Sequence, residues 1–555
     1  MTDLISRSWG AIHKALKSRG YEFVETRQGT TLYRGSIPSG KTTVTVQIEI
    51  EDPLFTAPPK VLIEDPDVRH RIRAHLMSAG SLCYAEAGVE EYDLYDAGGA
   101  VLRVLESARS TLNDVLHSSS TSDLQREFVA YWGPKTYLFS DLPTEFEGQA
   151  RGRVWDAPAG PFLIVTTPDR IPLWGGKTED THPVWVVRTT RPLDTSKGAG
   201  PGATLASLRL WLGEFIDEDG VLDRALAPAL IDHGRLVVLA ENGSISAAFT
   251  WPHVDAQAFK KAPEVRRSRY IANNESQMTM ARASVDSVAL PDLVNARLEG
   301  ASPLIGLSIA VVGTGAIGSR VCMELARCGA GQAEKPMTLI DHEVFVPANF
   351  GRHTLPISAV RSPKATALVD EIKRLHPDLK VAAIPSNVFE MLGRLRYFDL
   401  IVDATGSNPV ALRLNEEAMS RRHAGETFPP ILHAAIHGNG AAVQTILVTD
   451  PKHACLKCLR PSHGLYKANP LKPGVKVAFE SASCGDGAHI RYAASAPMMA
   501  AAVTVQAVLD WASNPADPGP RVRTRALNLD ITNPPKDRNW GTEPGCPACD
   551  RSVVD

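Results

Sequence analysis

A glycine-rich turn in the second half of the chain has the spacing of a nucleotide-binding loop. The run Ile309-Ala-Val-Val-Gly-Thr-Gly-Ala-Ile-Gly-Ser319 begins with four apolar residues and continues into a helical pattern. Gly313 and Gly315 would let the backbone approach a phosphate, and Gly318 would let the helix pack close to the strand. Asp341 ends a second apolar run, where a carboxylate can accept hydrogen bonds from ribose hydroxyls. The sequence therefore predicts a strand–turn–helix nucleotide site.

Two cations follow this acid, and they favour one nucleotide chemistry over another. Arg352 lies eleven residues beyond Asp341, and Lys364 comes shortly after it. Arginine offers a planar fork to phosphate oxygens and lysine a mobile point charge, so the pair suits a triphosphate that is being cleaved. A nicotinamide cofactor needs neither cation. We therefore expect ATP, while a nicotinamide oxidoreductase and an inert Rossmann-like scaffold stay open as alternatives.

Four cysteines in two CxxC pairs predict a metal site. Two such knuckles place four thiolates within tetrahedral reach of one Zn²⁺, which would tie the C-terminal tail back to the sheet. A redox role is the alternative, although neither pair opens a helix of a thioredoxin-like unit. Two other cysteines, Cys322 and Cys328, fall on the helix after the glycine loop, where we expect core packing. The CxxC pairs are Cys455-Leu-Lys-Cys458 and Cys546-Pro-Ala-Cys549.

The elements that must position these residues divide the chain into three predicted domains. Residues 1–117 have the pattern of a compact α+β unit, and residues 118–290 that of a mixed α/β middle region without a catalytic motif. From 291 to 555, strands alternate with helices as in a doubly wound, Rossmann-like α/β domain. The N-terminal prediction comprises a helix over 5–19, strands near 21–26, 31–37, 43–51 and 60–64, and a helix near 99–116. The middle prediction comprises strands over 161–166, 184–190, 236–240 and 245–250 and a helix near 203–216.

Composition narrows the class of protein. The 555 residues carry a net charge of −3, which argues against nucleic acid or an anionic membrane as the main partner. The first residues lack a basic-then-apolar signal pattern, so we expect a cytoplasmic protein. The most apolar helical stretch, Ala493 to Leu509, contains polar residues and reads as a buried helix rather than a membrane span. Eight cysteines in such a chain do not indicate a disulfide framework.

The C-terminal motifs resemble the ThiF/MoeB and ubiquitin-activating (E1) superfamily over roughly residues 290–555. The family order is a glycine loop, an acid, Asn-x-x-Arg and then lysine, and it falls here on Gly313, Gly315, Gly318, Asp341, Asn349, Arg352 and Lys364. The resemblance implies that Asp341 holds the ribose. It also implies that Asn349, Arg352 and Lys364 engage the triphosphate while a protein's C-terminal carboxylate attacks the α-phosphate. Members often carry a structural zinc in the same place and form a dimer through this domain.

The family's magnesium-associated acid has no direct counterpart. It usually follows a later strand in a Thr-Asp-Asn step, whereas the corresponding segment here is Val402-Asp-Ala-Thr-Gly-Ser407. Gly406 therefore occupies the acidic position, and Asp403 at the strand end is the nearest candidate for the Mg²⁺ role. An ordinary strand-end carboxylate is the alternative interpretation of Asp403.

Two further cysteines resemble thioester-forming residues. Cys484 lies in a glycine-flanked loop before the alanine-rich helix, as the thioester cysteine of ubiquitin-activating enzymes does. The N-terminal segments Pro53-Leu-Phe-Thr-Ala-Pro-Pro-Lys-Val61 and Gly80-Ser-Leu-Cys83 resemble ubiquitin-conjugating (E2) enzymes, which makes Cys83 the acceptor. The family's His-Pro-Asn triplet aligns with residues 73–75, so His75 replaces the oxyanion-stabilising asparagine; a surface residue without a role is the alternative.

The whole pattern resembles bacterial fusions of a conjugating domain with an activating domain, of the kind found in CBASS-type and related ubiquitin-like conjugation operons. It implies that ATP adenylates the C-terminus of a ubiquitin-like or cGAS-like protein with a small-residue tail. Cys484 would capture the acyl group and Cys83 would pass it to a target amine. An activator of a sulfur-carrier protein is the alternative function, but it would have no use for a Cys83 domain.

Overall fold

Two compact units make up the chain, Met1–Val288 and Ala289–Asp555. The structure is a computed structural model. It describes residues 2–550 apart from residues 41, 72–74, 77–79, 86–91, 118–124, 126–127, 133–136, 144, 158–159, 176, 178–179, 195–201, 217–219, 232–234, 251–258, 260, 297, 299, 301, 450–451, 463–464 and 481–488.

An antiparallel meander of four strands begins the first unit. Its strands lie in the order β1-β2-β3-β4, and the two long helices α1 and α3 pack on each other and cover a core of buried apolar residues. Every second residue of β3 is buried, from Val44 to Ile50, which is the pattern of a strand with one face on a core. All the predicted elements of this region are confirmed. The elements are α1 (Thr2–Ser18), β1 (Glu22–Arg27), β2 (Thr30–Ser39), β3 (Thr42–Ile50), β4 (Lys60–Ile63), α2 (Pro66–Arg71) and α3 (Ala97–His117). The short helix α2 was not predicted.

A closed barrel of seven strands forms the rest of the first unit. Its strands pair in the order β10-β11-β5-β7-β6-β8-β9, so each strand has two neighbours and the sheet has no free edge. Four of its strands and one helix were predicted; the remaining strands and helices were not. The elements are α4 (Phe128–Trp132), β5 (Tyr137–Ser140), β6 (Gly148–Ala157), β7 (Gly160–Thr166), β8 (Thr181–Arg188), α5 (Leu205–Leu212), α6 (Val221–Ile231), β9 (Arg235–Leu239), β10 (Ser244–Thr250), α7 (Glu264–Asn274) and β11 (Thr279–Ser287).

The second unit is built on a seven-stranded sheet in the order β14-β13-β12-β15-β16-β17-β20. The first five strands of that order are parallel, and the last two pair antiparallel. The strands are β12 (Ile309–Val312), β13 (Met337–Ile340), β14 (Val381–Ile384), β15 (Leu400–Asp403), β16 (Ile431–His437), β17 (Ala442–Val448), β18 (Phe479–Glu480), β19 (His489–Ile490) and β20 (Val522–Ala526). The helices are α8 (Leu290–Asn295), α9 (Ala316–Arg327), α10 (Lys364–Lys373), α11 (Asn408–His423), α12 (Leu456–Leu459) and α13 (Ser495–Ser513).

Helices cover both faces of this sheet, which confirms the doubly wound prediction. Residues of α9, α10 and α13 share one buried cluster with the sheet, and residues of α11 and α12 share another. The strand order reverses at β12, so a crevice opens at the carboxyl ends of the central strands, where ligands bind in such folds. The glycine loop leaves β12 at this point.

The alanine-rich segment forms helix α13 and is buried as predicted, with Ala500, Val508 and Trp511 in the core. Within the described part of the chain, no helix has the length and apolar character needed to cross a membrane.

Candidate functional site

The glycine loop between β12 and α9 is tightly packed on one side and open on the other. Gly313 has a φ of +83°, and a Cβ there would lie 2.9 Å from the Cα of Thr405 on the neighbouring strand's loop. A Cβ at Gly318 would lie 1.8 Å from the carbonyl oxygen of Gly313, so the helix can approach the loop only without a side chain. Gly315 has no atom within 4 Å of its Cβ position. The loop therefore leaves open space at Gly315, where a phosphate could approach.

Asp341 at the end of β13 holds this loop in place. Its Oδ2 accepts hydrogen bonds from the backbone N–H of Thr314 at 2.7 Å and from the Thr314 hydroxyl at 2.9 Å. Its Oδ1 accepts from the backbone N–H of Glu343 at 2.8 Å. A carboxylate has about four lone-pair positions, so one acceptor position is left for a ribose hydroxyl. The ribose role stays a prediction, and the loop contact is an addition to it.

The segment after β13 carries Asn349 and Arg352 in a tight turn. The side-chain oxygen of Asn349 accepts a hydrogen bond from the backbone N–H of Val346 at 3.1 Å. The backbone carbonyl of Asn349 accepts one from the backbone N–H of Arg352 at 3.0 Å. Arg352 is half-buried. Burial raises the pKa of the half-buried Tyr492, in the loop before α13, and the charge of Arg352 acts against that rise. The turn thus places the arginine at the edge of the sheet where the glycine loop lies.

Lys364, the first residue of α10, is buried with a relative exposure of 4%. Its ammonium pairs with the Glu343 carboxylate, and its backbone N–H donates to the Glu343 carbonyl at 2.9 Å. Because Glu343 follows Asp341 by two residues, this pair holds Lys364 near Asp341 in the chain. To contact a triphosphate as predicted, the ammonium would have to bind a phosphate oxygen together with the Glu343 carboxylate, or give up its pair with Glu343.

Arg320 is a third cation here, which sequence analysis did not single out. It lies on α9, two residues after Gly318. After burial, its charge is one of the smaller causes that act on the pKa of His353 and of Tyr492, and it lowers both. Its Nε is buried and has no hydrogen-bond partner among the described residues. The signal available in the sequence was its position in the first turns of the helix that follows the loop.

Asp403 at the end of β15 is buried with a relative exposure of 2%. Its Oδ1 accepts from the Thr405 N–H at 3.1 Å and the Thr405 hydroxyl at 2.7 Å, and its Oδ2 lies 2.8 Å from Nδ1 of His433. His433 is directly opposite Asp403 in the parallel pair of β15 and β16. Asp403 is therefore a hydrogen-bonded strand-end residue, and one lone pair of Oδ2 remains for another ligand.

A polar cavity lies beside Asp403, between the sheet and helices α11 and α12. Gly406 and His433 line it, together with His437, Arg460 and Tyr466. The Nε2 atoms of His433 and His437 are buried without a hydrogen-bond partner among the described residues. Burial and the charge of Arg460 lower the pKa of His437 to about 4. Neither histidine carries a motif, so only the fold reveals this cluster.

The two CxxC pairs meet as predicted. Their four Sγ atoms all lie within 4.8 Å of one another, with separations of 3.8, 3.9 and 3.5 Å for three of the pairs. A tetrahedral zinc with Zn–S bonds of about 2.3 Å places sulfurs about 3.8 Å apart, so the donor set fits this ion. Cys322 is fully buried in the core, and Cys328 is half-buried against it. The pairs are Cys455 with Cys458, and Cys546 with Cys549.

In the N-terminal domain, the fold brings His75 and Cys83 together. The backbone N–H of Cys83 donates to the carbonyl of His75 at 2.7 Å, and the next residues inward, Leu76 and Leu82, form a β-bridge. Cys83 is exposed, and His75 is half-buried with a φ of +58°, which is uncommon for a residue with a side chain. Cys484 lies outside the described residues.

Comparison with known families agrees with this geometry. Residues 291–546 match the ThiF family, and residues 8–139 match the Prokaryotic E2 family B. The chain therefore combines a ThiF family adenylation domain with an E2-like domain that precedes it. This combination defines an ATP-dependent transferase of the E1-like class. The three domain boundaries drawn from the sequence stay predictions.

Two relatives match the chain along almost its full length. The ATP-dependent ubiquitin transferase-like protein Cap2 of Pseudomonas aeruginosa (strain BWHPSA011 / Pa011) is 27% identical and covers 97% of this chain and 98% of its own. The protein of the same name from Escherichia coli (strain TW11681) is 24% identical and covers 97% of this chain and 99% of its own. Among solved structures, E. coli MccB with ATP is 17% identical, covers 53% of this chain and 84% of its own, and has a TM-score of 0.36.

Proposed function

We propose that the chain uses ATP to adenylate the C-terminal carboxylate of a partner protein. The observation that carries the proposal is the common edge of the sheet on which the glycine loop, Asp341 and the cations Arg320, Arg352 and Lys364 lie. A carboxylate oxygen attacks the α-phosphorus, the bond to the β-phosphate oxygen breaks, and pyrophosphate leaves. Two anions must meet in this step, so backbone N–H groups and cations are needed to stabilise the developing charge.

Mg²⁺ would accompany the triphosphate and neutralise part of its charge. Gly406 stands where the family has its acid, and Asp403 at the strand end is the nearest candidate to replace that acid. One lone pair of Asp403 is not used by Thr405 or His433, so it can bind the ion or one of its waters. Zn²⁺ would occupy the four-cysteine cluster as a structural ion, since four thiolates close its coordination.

The activated acyl group then passes between two sulfurs in this proposal. The Cys484 thiolate attacks the acyl carbon and AMP leaves; the Cys83 thiolate attacks next and releases Cys484. A target amine finally attacks the Cys83 thioester, which forms an amide and frees the thiol. Each exchange of one thioester for another changes little free energy, so adenylation drives the relay. The exposure of Cys83 supports its role, and His75 beside it would donate to the tetrahedral oxyanion.

The names of the relatives support a protein partner rather than a small molecule. We infer a ubiquitin-like or cGAS-like protein with a small-residue C-terminus, and target protein amines as acceptors. The middle region would act as a spacer or docking region, and two chains would dimerise through the adenylation domain. The E2 match also favours this relay over activation of a sulfur-carrier protein, which would leave Cys83 without a role. We place the reaction in the cytoplasm, where ATP is available.

The test is pyrophosphate exchange into ATP, measured with the purified chain, magnesium and candidate partner proteins taken from the neighbouring open reading frames. The Arg352→Ala variant should lower the exchange rate by about tenfold to a hundredfold, because a charge-assisted contact to phosphate is lost. Lys373→Ala, at the exposed end of helix α10, removes a cation away from the glycine loop; it is the control and should exchange normally. An unchanged rate in Arg352→Ala would contradict the assignment.

Mass spectrometry of the same reaction tests the relay. The wild-type chain should carry a thiol-labile adduct on Cys83. Cys484→Ala should abolish that adduct while pyrophosphate exchange continues. Cys83→Ser should leave the partner on Cys484 or form a thiol-resistant ester at residue 83. Exchange without any adduct on Cys83 would favour the sulfur-carrier function instead.

A further inference from the structure

The residue that follows Arg352 is buried, and both of its ring nitrogens have partners. Nδ1 of His353 accepts a hydrogen bond from the backbone N–H of Leu355 at 3.0 Å, and Nε2 lies 2.6 Å from the carbonyl oxygen of Thr314. A carbonyl oxygen only accepts, and a ring nitrogen that accepts from an N–H carries no proton. His353 is therefore the neutral tautomer with its proton on Nε2, and it donates to the centre of the glycine loop.

Packing fixes this ring in one orientation. His353 has a relative exposure of 8%, and the fully buried ring of Phe345 meets it edge-to-face at 5.1 Å. Burial, with the charge of Lys364 as a smaller cause, lowers the pKa of His353 to about 4 in spite of its bond to Thr314. The ring is thus neutral at neutral pH, with Nδ1 as the acceptor and Nε2 as the donor.

Thr314 receives hydrogen-bond partners from two sides. Its N–H and hydroxyl donate to Asp341, and its carbonyl accepts from His353. The backbone N–H of His353 also donates to the carbonyl of Asn349 at 3.1 Å, in the turn that carries Arg352. The imidazole therefore connects two segments that are far apart in sequence, the glycine loop and the Asn349–Arg352 turn.

We propose that His353 is a positioning residue for ATP, which sets Arg352 in register with the phosphate-binding loop through its contact with Thr314. This inference rests on the proposed adenylation of a carboxylate with ATP. It adds that the phosphate-contacting arginine and the loop form one unit, so that the arginine loses much of its effect on ATP affinity when the imidazole is removed.

The chain offers a matched control in His376. This histidine is also buried, with a relative exposure of 6%, and its Nδ1 accepts from the backbone N–H of Asp378, two residues later, at 3.2 Å. His353 makes the same local bond to a residue two positions later. His376 lies after helix α10 and away from the glycine loop. Its replacement by alanine therefore removes the same local hydrogen bond but no contact with Thr314.

The experiment measures the Kd for MgATP by calorimetry with the full chain, without any partner protein. His353→Ala should raise Kd about tenfold, the size of one lost hydrogen bond to a positioned loop. His376→Ala should stay within about twofold. His353→Gln, whose amide can still donate to the Thr314 carbonyl, should recover part of the affinity. Thermal unfolding of each variant checks that the folded state is retained.

A double-mutant cycle separates a positioning role from a merely structural one. If His353 acts through Arg352, then His353→Ala should weaken MgATP binding by less than about threefold in the Arg352→Ala background. Equal tenfold losses in both backgrounds, or a normal Kd in His353→Ala, would overturn the inference. If the wild-type chain does not bind MgATP at all, the proposed function fails first, so the two failures are distinguishable.

Discussion

At the scale of single residues, each of the three glycines of the loop is a glycine for a different reason. Gly313 needs its positive φ and its contact with Thr405, and Gly318 needs the absence of a Cβ against the Gly313 carbonyl. Gly315 has open space around its Cβ position, so a side chain there would meet no protein atom. Of the three, only Gly315 has no packing reason within the protein, and the predicted phosphate contact would supply one.

This difference predicts opposite behaviour of two alanine variants. Gly318→Ala should destabilise the chain by about 1–3 kcal/mol, because the new methyl group would overlap a backbone carbonyl that cannot move freely. Gly315→Ala should unfold at the wild-type temperature and yet bind MgATP more weakly. Thermal unfolding and calorimetry on the two variants measure both effects. Equal unfolding temperatures for the two variants would contradict the packing argument.

The sequence allowed the loop residues to be predicted but not their partners. The spacing from Gly313 to Lys364 identified candidate nucleotide-binding residues, and these stay predictions. It did not show that Asp341 bonds to Thr314 or that Lys364 pairs with Glu343. Such contacts depend on how separate strand ends meet. His433 could not be predicted for the same reason, since it reaches Asp403 only through the pairing of β15 with β16.

At the scale of elements, the cysteine cluster joins α12 to the C-terminal tail. The Ala454 N–H donates to the carbonyl of Trp540 at 2.9 Å, and the N–H of Glu543 donates to Sγ of Cys458 at 3.3 Å. Glu543 also pairs with Lys467. These contacts hold the tail against the face of the sheet that α11 and α12 cover. The four cysteines join the same two segments, α12 and the tail.

Metal removal should therefore loosen the tail and lower the stability of the second unit. We expect one zinc per chain by elemental analysis, and a decrease of several kcal/mol in stability in Cys546→Ser, in line with loss of a structural zinc site. Cys328→Ser, at a half-buried cysteine outside the cluster, is the control and should keep its zinc. A chain that purifies without metal and loses no stability in Cys546→Ser would contradict a structural zinc.

The elements that sequence analysis missed are concentrated in the barrel. β6 contains Arg151 and Arg153, and the alternate residues Ala281, Ala283 and Val285 of β11 are small, so neither strand shows a strong apolar pattern. Their positions depend on closure of the barrel, in which β5 lies between β11 and β7 although its four residues are too few to predict. The N-terminal meander was predicted because β2, β3 and β4 largely alternate buried with less buried residues, and because each strand pairs with its neighbour in sequence.

At the scale of the whole molecule, the second unit buries two histidines that the fold keeps neutral. His353 lies beneath the glycine loop, and His437 ends β16 beside the polar cavity. Burial lowers the pKa of both to about 4 from an ordinary value of 6.5, with the charge of Arg460 as a second cause at His437. The glycine loop and the cavity thus each adjoin an imidazole whose protonation costs folding free energy.

This burial predicts acid sensitivity in a defined window. Between pH 6.5 and about 4 the unfolded chain binds protons at both histidines and the folded chain does not, so stability falls as pH falls. Each histidine lowers the free energy of unfolding by at most about 1.4 kcal/mol per pH unit within this window. Above pH 6.5 both states leave the histidine neutral, so the stability is fully retained. Denaturant unfolding at pH 7 and pH 5 measures the loss. His437→Gln, which cannot be protonated, should lose less stability over that interval than the wild-type chain, and an equal loss would show that other groups cause the acid sensitivity.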